Sequence, residues 1–487
     1  MTDAELRIVT MVLYMAICLA LGVIAFRRTR TLGDYILGGR SLGSWVTALS
    51  AQATDMSGWL LMGLPGLAYA SGFDSVWLLL GLVLGTWANW RWVAAPLRDA
   101  TERLSSLTLP DYFENRFADT RHSLRTVSAI FILVFFVFYT SSGFVAAGRL
   151  FESVFSLAYH DALILGSVVM LGYVFLGGFL AVSWSDVLQG SLMFFALVMV
   201  AIVGVAESGG LRQTFEGLQA LDANLLDPFV AEGDQRLGWI GILSLLAWGL
   251  GYAGQPHILA RFMAARSVQH LTVARQVAMT WVIIVLVASV MVGLSGRLVY
   301  PQPLAGADTE KVFIEMATFF LTPTLAGICL AGVMAAIMST AAAQLLVASS
   351  ALSKDFYAVL RPAATPTQLL RSGRLAVLGI AAVALWIAWD PSSRVLDLVA
   401  WAWAGFGAAF GPAVILSLYM PDMTRHAALA GIVTGGATVI LWPRLSGLGP
   451  WFEVYELLPA FVLSAGVIML MTWGARRQQA RHADARP

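Results

Sequence analysis

The sequence predicts an all-α integral membrane protein with thirteen transmembrane helices, ten of them arranged as an inverted five-helix repeat. Three observations lead there. Of 487 residues, 59% are hydrophobic and only 12% charged. A soluble domain carries roughly 25% charged residues, so lipid solvates most of this chain. Thirteen apolar stretches approach the ~20 residues that cross a bilayer. The second and seventh of these are interrupted by polar, glycine and proline residues. Their offset of five places them in opposite orientations, as an inverted repeat requires.

The stretches lie near 8–26, 44–68, 74–95, 126–148, 160–182, 187–207, 238–256, 276–298, 314–345, 373–390, 394–420, 426–442 and 456–474. Alternate loops are rich in arginine: Arg27, Arg28, Arg30 and Arg40; Arg91, Arg98, Arg103, Arg116, Arg121 and Arg125; Arg261, Arg266 and Arg275; Lys354, Arg361, Arg371 and Arg374; Arg425; and Arg476, Arg477 and Arg481. The longest loop of the other set, 207–237, has six acids against Arg212 and Arg236. The positive-inside rule then sets the N-terminus outside and the C-terminus in the cytoplasm. The chain divides into a first helix and cytoplasmic loop (1–43), one repeat (44–207), an outer loop (208–237), a second repeat (238–420) and two final helices with a basic tail (421–487).

Several classes of protein fit poorly. A net charge of +1 points to no nucleic-acid surface. Cys18 and Cys329 sit in apolar stretches and have neither disulfide nor zinc spacing. Neither lysine, Lys311 or Lys354, ends a glycine-rich phosphate loop, which argues against an ATP-driven pump. Asp3 and Glu5 precede the first apolar run, which reads as a spanning helix and not a cleavable signal. A channel would need a repeated ring of filter residues. A sensor would need a long signalling module after the last span.

The second stretch holds Gln52, Thr54, Asp55, Ser57 and Gly58 in SAQATDMSGWLLMGLPG. A carboxylate near the bilayer centre costs about 2.5–3.5 kcal/mol on insertion scales. Unwound backbone survives there only inside protein or along a cavity. The seventh stretch, WGLGYAGQPH, places Gly249, Gly251, Gly254 and Pro256 in quick succession. Either break alone is equally an ordinary kink; the matching pair points to a transport site. In the ninth stretch, Ser339 and Thr340 could bond back to their own helix or, with carbonyls freed at the first break, ligate a hard cation. Tyr139, Trp248 and Tyr252 are packing or belt aromatics taken singly. Trp248 and Tyr252, four apart, would share a helix face beside the second break. Asp186 follows the fifth stretch at the cytoplasmic edge, where a carboxylate can reach water. Asp397, near the outer end of the eleventh, reads as structural.

The segments DYILGGRSLG (34–43), DMSGWLLMGLPG (55–66), LTLPDYFENRF (107–117), GGFLAVSWSD (177–186), GQPHILARFMAA (254–265), AAIMST (335–340) and AWAGFGAAFGP (402–412) resemble the sodium/solute symporter family over nearly the whole chain. DMSGWLLMGLPG and WGLGYAGQPHILARFMAA are the specific ones, and they resemble its sodium/proline branch. The resemblance implies the leucine-transporter fold and uptake of L-proline with sodium across the bacterial inner membrane. It implies a sodium site of the Ala53, Met56 and Ala336 carbonyls and the Ser339 and Thr340 hydroxyls, with Asp55 near the ion path. Proline would lie among Tyr139, Trp248, Tyr252 and Pro256, near Ser57, Gly58, Trp59, Gly63 and Gln255. Asp186 would serve sodium release, with Arg40 and Ser50 in coupling. Neither a bond-making reaction nor an obligate protein partner is implied. Within the family, another amino acid, a sugar or pantothenate is the rival solute.

Overall fold

Glycine, proline and polar runs divide this chain into helices of very unequal length. The computed structural model describes residues 2–26, 36–174, 179–233, 235–361 and 363–484. Arg27, Arg28, Arg30, Asp34, Tyr35, Gly177 and Gly178 lie outside that set.

Helix α1 (Asp3–Phe26) is followed by α2 (Ser44–Asp55), a π turn at Trp59–Gly63 and α3 (Leu64–Ser71). Helix α4 (Ser75–Ala88) passes through a second π turn into α5 (Ala94–Arg103), and α6 (Leu109–Arg116) is a short helix capped by Thr108. Then come α7 (Ser123–Phe155), α8 (Tyr159–Val174), α9 (Phe179–Glu207) and the amphipathic α10 (Leu211–Leu221). Two two-residue strands, Val230–Ala231 and Gln235–Arg236, pair antiparallel in the connection that follows.

Helix α11 (Trp239–Ala247) tightens into a 3-10 segment, Trp248–Gly254, and restarts as α12 (Pro256–Ala264) with proline in its first turn. Proline suits that position because the N–H it lacks would have no helical partner there. The chain continues through α13 (Val268–Val299), α14 (Val312–Phe320), α15 (Pro323–Ser350), α16 (Pro366–Ile387), α17 (Val395–Tyr419), α18 (Arg425–Leu441) and α19 (Leu457–Asp484). Among the described residues, seven helices are long and apolar enough to cross a membrane singly: α7, α9, α13, α15, α17, α18 and α19.

Three boundaries differ from the sequence reading. The stretch expected at 314–345 is two helices, because the chain turns at Leu321–Thr322 before Pro323 starts α15. Helix α9 begins at Phe179, so Asp186 lies inside a helix and is fully buried instead of meeting water. The 207–237 loop carries helix α10.

The centre of the molecule is α15, packed on α1, α2, α7 and α9, and α17, packed on α7 and the 3-10 break. Glu310 accepts hydrogen bonds from the Val395 and Leu396 N–H groups at 2.8 and 3.0 Å. A carboxylate there satisfies orphan donors at the start of α17 and complements the helix dipole.

Candidate functional site

Helix α2 stops at Asp55 because Met56 leaves helical geometry, with φ −83° and ψ 75°. The polar run after it offers side chains that compete for backbone groups. Gly58 then passes close to α7: a Cβ there would lie 2.9 Å from the Cβ of Ala146. Gly254 has the same constraint at the second break, where a Cβ would lie 2.2 Å from the Phe406 carbonyl oxygen.

The first break meets α15. Ser339 donates from Oγ to the Ala53 carbonyl at 2.6 Å and to the Ala336 carbonyl at 3.1 Å. Thr340 Oγ1 donates to the same Ala53 carbonyl at 3.4 Å. All of these residues, and Met56, are buried. Carbonyl and hydroxyl oxygens gathered in this way are the kind of group a hard cation takes as ligands. To ligate a cation, both hydroxyls would have to turn from donating to these carbonyls to offering a lone pair.

Asp55 lies one step further into the break. Both carboxylate oxygens are buried without a hydrogen-bond partner among the described residues. Its carbonyl accepts from Trp59 Nε1 at 3.2 Å and from the Tyr139 hydroxyl at 3.5 Å. The Tyr252 phenol sits beside Asp55 and Thr86, yet makes no hydrogen bond of good geometry to either. The structure thus brings Asp55, Trp59, Tyr139 and Tyr252 together, with Ser57, Gly58 and Gly63 buried in the same turn. The Ser57 hydroxyl is also unpaired among the described residues.

Trp248 and Tyr252 both meet Trp403, but not through the α-helical spacing the sequence suggests. They belong to the 3-10 segment, where residues three apart eclipse and residues four apart diverge. Trp248 stacks on Trp403 and Tyr455, with ring centroids at 6.5 and 5.6 Å. Tyr252 meets Trp403 edge-on at 4.9 Å. Trp403 also donates from Nε1 to the Trp248 carbonyl at 2.8 Å. Gln255 donates to the Gly251 and Trp403 carbonyls at 3.1 and 3.2 Å. Trp248 and Gln255 therefore brace the break against α17, and Trp403 is the residue sequence reading missed. Its signal lay in the AWAGFG segment, without a spacing to connect it to Trp248. Pro256 lines a small cavity of about 30 Å³ with Thr108, Ala260 and Ser350.

The third group is a buried triad. Ser50 donates to Asp186 Oδ2 at 2.6 Å, and Arg261 Nε donates to the Ser50 hydroxyl at 3.1 Å. Arg261 also reaches Asp186 Oδ2 at 3.3 Å, with both side chains 0% exposed. Paired in this way, two charges can persist where either alone would be prohibitive. By sequence Arg261 reads as a loop charge; the structure buries it within α12. Arg40 stands apart from the triad. It adopts φ 54° and donates to the Met263, Thr101 and Ser106 carbonyls at 2.6, 3.0 and 2.7 Å, stapling its own segment to α12 and the α5–α6 region.

Two helices broken at depth, one facing an oxygen cluster and the other an aromatic one, define an ion-coupled carrier with many membrane helices. The chain belongs to the sodium:solute symporter family, whose family model matches residues 35–435. It is 46% identical over 491 residues to the sodium/proline symporter of Salmonella typhimurium, covering 98% of this chain and 96% of that one. It is 46% identical over 489 residues to the sodium/proline symporter of Escherichia coli, again covering 98% and 96%. Among solved structures, a substrate-bound, outward-open sodium-coupled sialic acid symporter superposes with a TM-score of 0.79 over 96% of this chain and 97% of that one, at 18% identity. That likeness is one of fold.

Proposed function

We propose that this chain carries L-proline into a bacterial cell together with sodium, by alternating access across the cytoplasmic membrane. The observation that carries this reading is the buried meeting of the Ala53 carbonyl with the Ser339 and Thr340 hydroxyls, in a chain 46% identical to two sodium/proline symporters. In this reading the chain crosses the bilayer thirteen times, with its N-terminus outside, its C-terminus in the cytoplasm and an inverted repeat of 44–207 and 238–420.

Sodium enters from outside and is held by the Ala53, Met56 and Ala336 carbonyls, Ser339 and Thr340. That fixes the unwound turn after Asp55, whose carboxylate lies on the ion path. The solute ring then rests against Tyr139, Tyr252 and Trp59. Its zwitterion meets backbone groups freed at Ser57, Gly58, Gly63 and Pro256, while Trp248 and Gln255 hold the second break in shape. Each ligand favours the same state of the two breaks, so each raises the other's affinity by the same factor. On the cytoplasmic side, Asp186 and Ser50 receive the departing ion, and Arg40 holds the loops that must part. The membrane potential adds about 2.3 kcal/mol per charge per 100 mV. No covalent intermediate is formed, and the bilayer is the only other partner the reading requires.

Uptake of labelled L-proline into proteoliposomes, driven by an imposed sodium gradient against a potassium control, tests the reading. Accumulation that requires sodium supports it. A folded protein that accumulates another amino acid, a sugar or pantothenate instead keeps the coupling and replaces the solute.

A further inference from the structure

His257 follows Pro256 in the first turn of α12 and is 0% exposed. Neither ring nitrogen has a hydrogen-bond partner among the described residues. The ring is packed edge-on against Tyr139 at 5.7 Å and tilted against Phe136 at 5.9 Å. Nearby Arg261 donates to the His257 carbonyl and leaves the imidazole alone. An imidazole always carries at least one N–H. Burying such a donor unpaired costs about as much as a lost hydrogen bond, so this position calls for an acceptor.

Four other side-chain N–H groups near the two breaks are committed. Trp59 Nε1 donates to the Asp55 carbonyl, and Gln255 Nε2 to the Gly251 and Trp403 carbonyls. Trp403 Nε1 donates to the Trp248 carbonyl, and Asn89 Nδ2 to the Tyr252 carbonyl. The imidazole is uncommitted, and it adjoins both Tyr139 and Pro256.

We infer that the His257 imidazole donates a hydrogen bond to the carboxylate of the transported solute and so selects for solutes that carry one. The assignment rests on the reading of a proline-like solute between Tyr139 and Pro256 and goes beyond it by naming the group that recognises the acid end. A site with a buried donor rejects analogues unable to satisfy it far more strongly than an apolar wall would.

The test is a cycle between protein and ligand. Sodium-dependent binding of L-proline and of L-prolinamide is measured on purified full-length wild type, His257→Phe and His257→Gln. Phenylalanine keeps the ring packing on Phe136 and Tyr139 but removes the donor; glutamine keeps an N–H. Prolinamide keeps a neutral carbonyl acceptor, so the ratio of proline to prolinamide affinity is expected to fall about 5-fold in His257→Phe, the difference between a hydrogen bond to a charged and to a neutral group, with part restored in His257→Gln. If His257→Phe does not fold, His257→Leu supplies the donor-free arm. Equal weakening of both ligands, or an unchanged ratio, assigns His257 a packing role and overturns the inference while leaving the carrier reading intact. Wild type that binds no proline in sodium overturns the solute reading, and this assignment with it.

Discussion

The Ser339 hydroxyl donates to the Ala53 carbonyl at 2.6 Å across 286 positions of sequence. This bond ties the end of α2, where the helix is about to break, to the middle of α15. Thr340 approaches the same oxygen at 3.4 Å. If these groups form the cation site, Ser339→Ala and Thr340→Ala raise the sodium concentration for half-maximal uptake by roughly 10-fold or more, one lost ligand interaction being worth about 1.4 kcal/mol or more. The proline KM at saturating sodium changes much less. Uptake rates over a matrix of sodium and proline concentrations separate the two effects; a change confined to the proline KM would count against the assignment.

Arg261 and Asp186 form an ion pair with no solvent contact. Arg261→Leu leaves the carboxylate buried and uncompensated, a loss expected to cost about 3–5 kcal/mol. Asp186→Asn in the same chain removes the stranded charge and recovers part of it. Thermal unfolding in detergent of both single variants and the double variant measures this. A strictly additive double variant would mean the pair is not coupled in the folded protein.

In the short helix α6, Asp111 accepts from Lys354 at 2.8 Å, from the Leu107 N–H at 2.9 Å and from Arg125. Burial works against its carboxylate, but Lys354, the Leu107 N–H and Arg125 outweigh that and hold it below the usual carboxylate range. A depressed folded pKa adds stability above the unfolded value of ~3.9 and loses it as pH falls through the folded one. Asp111→Asn is therefore expected to unfold at lower temperature than wild type at neutral pH. The gap should close on acidification below pH ~4. A gap independent of pH would assign the effect to packing.

Gly58 leaves no room for a side chain against Ala146. Gly58→Ala overpacks the first break, destabilising the protein by about 1–3 kcal/mol and slowing uptake. Ala146→Gly, which removes the opposing methyl, is expected to restore part of both. Unfolding temperature and uptake of the double variant decide it; no rescue would mean that the Ala146 contact is not what excludes a side chain at Gly58.

Much of the helical character could be read from apolar runs and their breaks, because the requirement to satisfy every backbone group in lipid leaves helices as the main option. Helix limits were harder. A window of hydropathy registers a long apolar run at 314–345 but not the turn before Pro323 that separates α14 from α15. It also placed Asp186 beyond a span, when α9 begins at Phe179 and carries that carboxylate inward. At Trp248 and Tyr252 the chain runs as a 3-10 segment instead of the α-helix that the sequence suggests, yet both rings still reach Trp403.

The residue types that offer oxygen ligands, aromatic walls and broken backbone were present in the chain before any fold was known: Asp55, Ser339, Thr340, Tyr139, Tyr252 and Pro256. Their presence follows from local chemistry, since glycine, proline and small polar residues interrupt a helix wherever it sits. Partnership does not follow from local chemistry. Arg261 joins Asp186 and Ser50 over 75 and 211 positions, and Trp403 reaches the Trp248 carbonyl over 155. Such pairs form when distant helices pack, and a buried charge or donor must find its partner within a few ångströms whatever its place in the sequence.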